Sequence, residues 1–241
     1  MIIRCIWEHN GEDSLLYAEN FPGAFTRGEG KEACLRKMPE EAAAYLRWAG
    51  EPVPAALMPE IVFEKASQLN IRDADSDVLF PSEREGLTTG EYARLKGLAL
   101  KSAADFLTLF RSVPDPDKTA LPPRETFYGP VPRTAREMYE HTKNVNSYYF
   151  SEIDLPADNE GDILSCRERG FALLEQRSDF LAAKVFSGSY EEDWSLRKVL
   201  RRFIWHDRIH AKAMVRMTER TFGPGTASRV FRFDSLMTGG R

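Results

Sequence analysis

The chain has 241 residues, 42% hydrophobic and 29% charged, enough for one large or two small domains with a sizeable core that needs no disulfide or structural metal. It carries 33 Lys and Arg against 37 Asp and Glu, a formal charge of −4, and so lacks the basic excess that non-specific nucleic-acid binding needs. No apolar run approaches the roughly 18–20 residues that span a bilayer, and the opening residues turn charged too early for a signal peptide. The three cysteines, Cys5, Cys34 and Cys166, are widely spaced with no CxxC, so the expectation is a soluble cytoplasmic protein with reduced thiols, no membrane and no nucleic-acid partner.

Residues 2–7 form a short β-prone run, Asn10-Gly11 supplies turn chemistry, and Leu15-Leu16-Tyr17-Ala18 predicts a second strand. Phe21-Pro22-Gly23 opens a turn that leads through Gly28-Glu29-Gly30 into an amphipathic helix over 31–49, with Pro39 placed to interrupt or kink it. Residues 60–71 alternate as a further strand, giving the order β-β-α-β over residues 1–85. From residue 86 to 241 the apolar period lengthens to that of helices. Thr88 with Glu91 and Thr134 with Glu137 are capping boxes. The helices they open run to about residues 112 and 150. A third helix is predicted over 162–186, and a fourth from an Asp193 cap to Phe222. The fold class expected is therefore α+β in two domains, a small ββαβ unit and a four-helix bundle.

The four histidines are the most informative residues. His206 and His210 stand four apart and so lie on one helix face, on the continuation of the stripe Leu196, Val199, Phe203. His141 falls on the stripe Met138, His141, Val145, Tyr148 of the second bundle helix. Three inward imidazoles need partners for their nitrogens. A shared metal ion would satisfy all three and leave an open position, as in catalytic sites. An HxxxH pair is also the pattern of ordinary core histidines, and that alternative stands beside the first. Cys166 reads as a core filler, Glu137 as a capping carboxylate that could also orient His141, and Tyr148, Trp194 and Trp205 as core or pocket aromatics. The acidic run Asp73-Ala74-Asp75-Ser76-Asp77 has Val78 where a calcium loop needs glycine, and reads as a solvated turn. His9, beside the turn, is expected to be exposed.

A single histidine in Tyr139-Glu140-His141-Thr142-Lys143 and a final His206-Asp207-Arg208-Ile209-His210, preceded by Leu200-Arg201-Arg202-Phe203-Ile204-Trp205, resemble the DinB/YfiT-like superfamily over residues 87–222. The resemblance implies an up-down-down-up four-helix bundle with His141, His206 and His210 holding a divalent metal, zinc or nickel. It further implies thiol-dependent S-transferase, isomerase or hydrolase chemistry on a small-molecule substrate with a low-molecular-weight thiol. Ala211-Lys212 follows the last histidine where the family commonly has Gly-Gln. The stretch Tyr17-Ala18-Glu19-Asn20-Phe21-Pro22-Gly23 through Gly28-Glu29-Gly30-Lys31-Glu32-Ala33 is similar to the HicB-like fold of antitoxins, which implies a partner, dimer or ligand platform. Two functions follow: a metalloenzyme, or a non-catalytic metal-binding or stress-response interaction module. A homodimer fits either.

Overall fold

The computed structural model describes residues 1–126 and 129–233. Among them the chain is α+β, with five α-helices and a mixed four-stranded sheet. Strand β1 (Ile2–Asn10) turns at Gly11, whose φ of 57° suits the residue without a Cβ, into antiparallel β2 (Asp13–Ala18). Strand β3 (Phe25–Glu29) pairs antiparallel with β2. Helix α1 (Gly30–Ala49) then crosses back to β4 (Met58–Ala66), which lies parallel to β1. The order across the sheet is β3-β2-β1-β4. At Cys5/Ile6 the register with β4 slips by one, so that Val62 bulges out of the pairing.

Helices α2 (Thr89–Arg111), α3 (Ala135–Ser151), α4 (Ile163–Leu174) and α5 (Leu196–Phe222) follow. Helix α2 packs on α5 and α4, and α3 packs on the same two. The capping boxes at Thr88/Glu91 and Thr134/Glu137 both form. No described helix is long and apolar enough to cross a membrane.

Several expectations need correction. Strand β3 was expected as a turn entering the helix. Helix α1 runs through Pro39 without a break in its span. Strand β4 ends at Ala66, and Ile71 opens a 3₁₀ turn. The third bundle helix stops at Leu174 instead of reaching residue 186. The polar run Gln176-Arg177-Ser178-Asp179 turns the chain there, and Arg177 donates to the carbonyl of Ile153. Phe180 and Leu181, expected on that helix, are packed from an irregular segment; Phe180 stands edge-on to Tyr92, ring centroids 4.9 Å apart. The last helix is capped by Ser195, whose side chain accepts from the Lys198 amide. Asp193 and Trp194 are held in a short ladder with Phe186 and Ser187.

Helix α5 is the central element. Leu196, Val199, Leu200, Phe203 and Ile204 are buried, and so are Lys198, Arg201, Asp207 and Arg208 on its other faces. Buried charge must be paired, and here it is: Arg167 (α4) with Asp207, Glu83 with Arg201, and Glu41 of α1 with Arg208 and Lys212. One apolar cluster runs from the α1 face of the sheet (Ile3, Cys5, Leu16) through Met38 and Tyr45 into Phe106, Phe150 and Phe203. A second cluster covers the opposite face, where Trp205 of α5 joins Ile6, Leu15, Tyr17, Phe25 and Phe80. All three thiols are free and buried.

Candidate metal centre

The Thr134 cap starts α3 so that His141 reaches the rim of the helix pair α3/α5, while spacing along α5 stacks His206 beneath His210. The three rings converge. Centroids are 5.1 Å apart for His141 and His206, 4.7 Å for His141 and His210, and 4.5 Å for His206 and His210. One nitrogen from each ring lies within 4.8 Å of the others. A tetrahedral ion with Zn–N of about 2.0–2.1 Å sets its ligand nitrogens roughly 3.3 Å apart, so small rotations of the rings would close the site.

The burial follows the inward arrangement expected at His206 and departs from it at His141. His206 is 7% exposed, His210 is half-buried and His141 is exposed. The buried stripe of α3 is Met138, Thr142, Asn146, Tyr149 and Phe150, rotated away from His141. Two polar side chains turn it: the Thr142 hydroxyl donates to the Met138 carbonyl, and the Asn146 amide to the carbonyls of Asp158 and Cys166. The cluster therefore lies at the edge of the core, with His206 buried and His141 on the surface.

Burial, and then repulsion between the rings, lowers the pKa of His206 well below the ordinary value and brings His210 to about 3. His141, though exposed as a residue, has its ring partly desolvated by its neighbours, and this alone lowers its pKa. All three are neutral at pH 7, the state in which imidazole binds a metal. Among the described residues no ring has a hydrogen-bond partner, and the Nδ1 of His206 is buried without one. That orphaned nitrogen and the all-imidazole donor set fit zinc or nickel. The edge of Tyr149 braces His206, ring centroids 5.9 Å apart.

The other residues singled out from sequence are not at the cluster. Glu137 accepts from the Arg133 and Thr134 amides and so serves only the cap. Cys166 is buried, with burial raising its pKa. His9 is half-buried rather than exposed, stacks on Trp7 at 4.0 Å and meets Glu64 at 3.2 Å. Asp73 and Asp77 pair with Arg124 and Lys65. Asp207, next to His206 in the chain, faces Ser102 and Arg167 at 2.5 Å each and offers the rings no base. Sequence reasoning missed Arg202 and Arg27. Their charges act on His206 and His210 respectively. The signal for Arg202 was present, since it stands four residues before His206 on the same helix face. No known protein family, curated protein or solved structure matches the chain.

Proposed function

We propose that the chain is a divalent-metal-dependent enzyme of the DinB/YfiT-like superfamily. His141, His206 and His210 hold zinc or nickel, and the reaction is S-transfer or hydrolysis with a low-molecular-weight thiol. In this reading α2 to α5 are the up-down-down-up four-helix bundle, and residues 1–85 are a HicB-like module carried beside it. The observation behind the proposal is the convergence of three neutral imidazoles from two helices on one point. When bound, the metal supplies Lewis-acid activation that lowers the pKa of a water or thiol near neutrality. The chain's part is to hold the three nitrogens, to brace His206 with Tyr149, and to leave the exposed His141 side open for a ligand to enter.

The absence of a carboxylate base on the rings among the described residues favours a second reading, a metal-binding interaction module without turnover. Loss of thiol from glutathione, bacillithiol or mycothiol conjugates separates the two, since only the enzyme turns them over. The metal site itself is tested by elemental analysis of the native protein and of His206→Ala and His210→Ala. Near-stoichiometric metal in the native chain, lost in both variants with helical circular dichroism retained, is the expected result. Full occupancy in His206→Ala would refute the ligand set.

A further inference from the structure

Cations act on two of these histidines, after burial and the neighbouring rings: Arg202 and Arg167 on His206, and Arg27 on His210. With three neutral ligands, a divalent ion here keeps its full positive charge in an already positive setting, and such a site calls for an anionic ligand. The buried arginines of α5 show where that anion would sit. Arg201 is paired with Glu83, and Arg208 with Glu41; Arg167 of α4 is likewise paired with Asp207. Arg202 makes no direct ion pair among the described residues; Glu192 and Glu8 act on it only from further off.

Arg202 is half-buried and held in place. Its Cζ lies 4.8 Å from the ring centroid of Trp205 and 5.6 Å from those of Tyr149 and Trp194. Its Nη1 donates to the Ser76 carbonyl at 3.0 Å. Its Nε is buried with no acceptor, as are the indole nitrogens of Trp194 and Trp205. Stacking between rings fixes a guanidinium without neutralising it. A guanidinium N–H left without an acceptor away from water is costly. Residues four apart on a helix share one face, with Cβ atoms about 5–6 Å apart, so Arg202 and His206 are neighbours that one small ligand could address together.

From this geometry we propose that Arg202 seats a carboxylate carried by the ligand whose other end binds at the histidine triad, so that the thiol or substrate is a carboxylate-bearing one. This rests on the metal-dependent reading above. The planar fork of arginine matches a carboxylate with two parallel hydrogen bonds, which a lysine cannot reproduce.

The test uses cobalt(II)-loaded protein titrated with 3-mercaptopropionate and with 2-mercaptoethanol, read by sulfur-to-cobalt charge-transfer absorption. Native protein is expected to bind the carboxylate thiol roughly ten- to hundredfold more tightly, the range that one charge-assisted contact supplies. In Arg202→Met that ratio falls to near one while cobalt stoichiometry and helical circular dichroism remain native. Arg202→Lys, which keeps the charge but not the fork, recovers part of the ratio. A native protein with no preference, or an Arg202→Met protein that keeps it, overturns the carboxylate seat. If native protein takes up no cobalt, the metal reading falls, and calorimetric titration of propionate into native and Arg202→Met protein decides the seat alone. Binding that depends on Arg202 sustains it, and absence of such binding overturns it.

Discussion

Replacing Asp207 by alanine separates a structural carboxylate from a catalytic one, because Asp207 adjoins a proposed ligand in the chain but faces the other way. The side chains of Asp207 and Arg167 are both 0% exposed. Two N–H···O contacts, 2.5 and 3.2 Å long, join them, and the Ser102 hydroxyl donates to the same carboxylate at 2.5 Å. Without it, Arg167 keeps only the Ala99 carbonyl, at 3.2 Å, and the Phe203 ring, 4.2 Å from its Cζ. Stranding one member of a buried ion pair costs about 3–5 kcal/mol, a large share of the roughly 5–15 kcal/mol of a typical fold. At about 2–4 °C per kcal/mol for a chain of this size, the midpoint should fall by about 6–20 °C. Urea unfolding followed by circular dichroism, with calorimetry for the midpoint, measures both. The double variant Asp207→Leu with Arg167→Met should regain most of the loss, since an apolar pair needs no compensating charge. Metal content of folded Asp207→Ala should equal that of the native protein. A loss below about 1 kcal/mol would refute the account of a stranded charge. Metal lost at unchanged stability would place Asp207 in the site.

Two further variants probe the frame around the site. Gly170 lies where α4 meets α3, and a Cβ there would stand 2.2 Å from Cε2 of Phe150. Gly170→Ala should therefore lose about 1–2 kcal/mol in urea, overpacking outweighing the gain in helix propensity; an unchanged or raised midpoint would show that the two helices yield easily. Lys198 is buried, and burial lowers its pKa to about 8, against about 10.4 in an unfolded chain. Between those values the unfolded chain holds a proton that the folded chain has released, so this contribution to stability rises with pH and is lost as pH falls through about 8. Subtracting the urea stability of Lys198→Met from that of the native protein should give a difference that climbs from pH 8 to pH 10, and a flat or falling difference would refute it.

The elements legible in the sequence are those whose patterning is purely apolar or whose caps are explicit. Thr88 and Thr134 announced α2 and α3 because a hydroxyl and a carboxylate three residues on satisfy the same helix end. Strand β3 was hidden because Phe25-Thr26-Arg27-Gly28-Glu29 has five residues, no clear alternation and a glycine, and owes its extended form to pairing with β2. Phe180 and Leu181 were legible as packed on the core but not as non-helical, since an apolar spacing says nothing about the polar residues that turn the chain before it. Trp205 shows the same limit from the other side. The apolar stripe of α5 gave one inner face, whereas sheet and helices enclose this half of it on every side.

At the site, spacing alone places His206 and His210 together, because both ride on one rigid helix. His141 joins them for a different reason from the one its stripe suggested. Buried Thr142 and Asn146 turn α3 so that His141 sits at the rim, and a reading that assigns polar residues to solvent cannot see that rotation. The same assumption concealed Arg202. From sequence, Arg201, Arg202 and Arg208 are three like residues on one helix; what distinguishes them is the pairing of each with groups distant in the chain. Glu83 pairs with Arg201 and Glu41 with Arg208, while Arg202 is stacked among the rings of Trp205, Tyr149 and Trp194 without a direct ion pair. Arg201 and Arg208 each carry a carboxylate in direct contact, whereas Glu192 and Glu8 act on Arg202 only from beyond ion-pair distance, and it is this difference, one helical turn from His206, on which the proposed carboxylate seat rests.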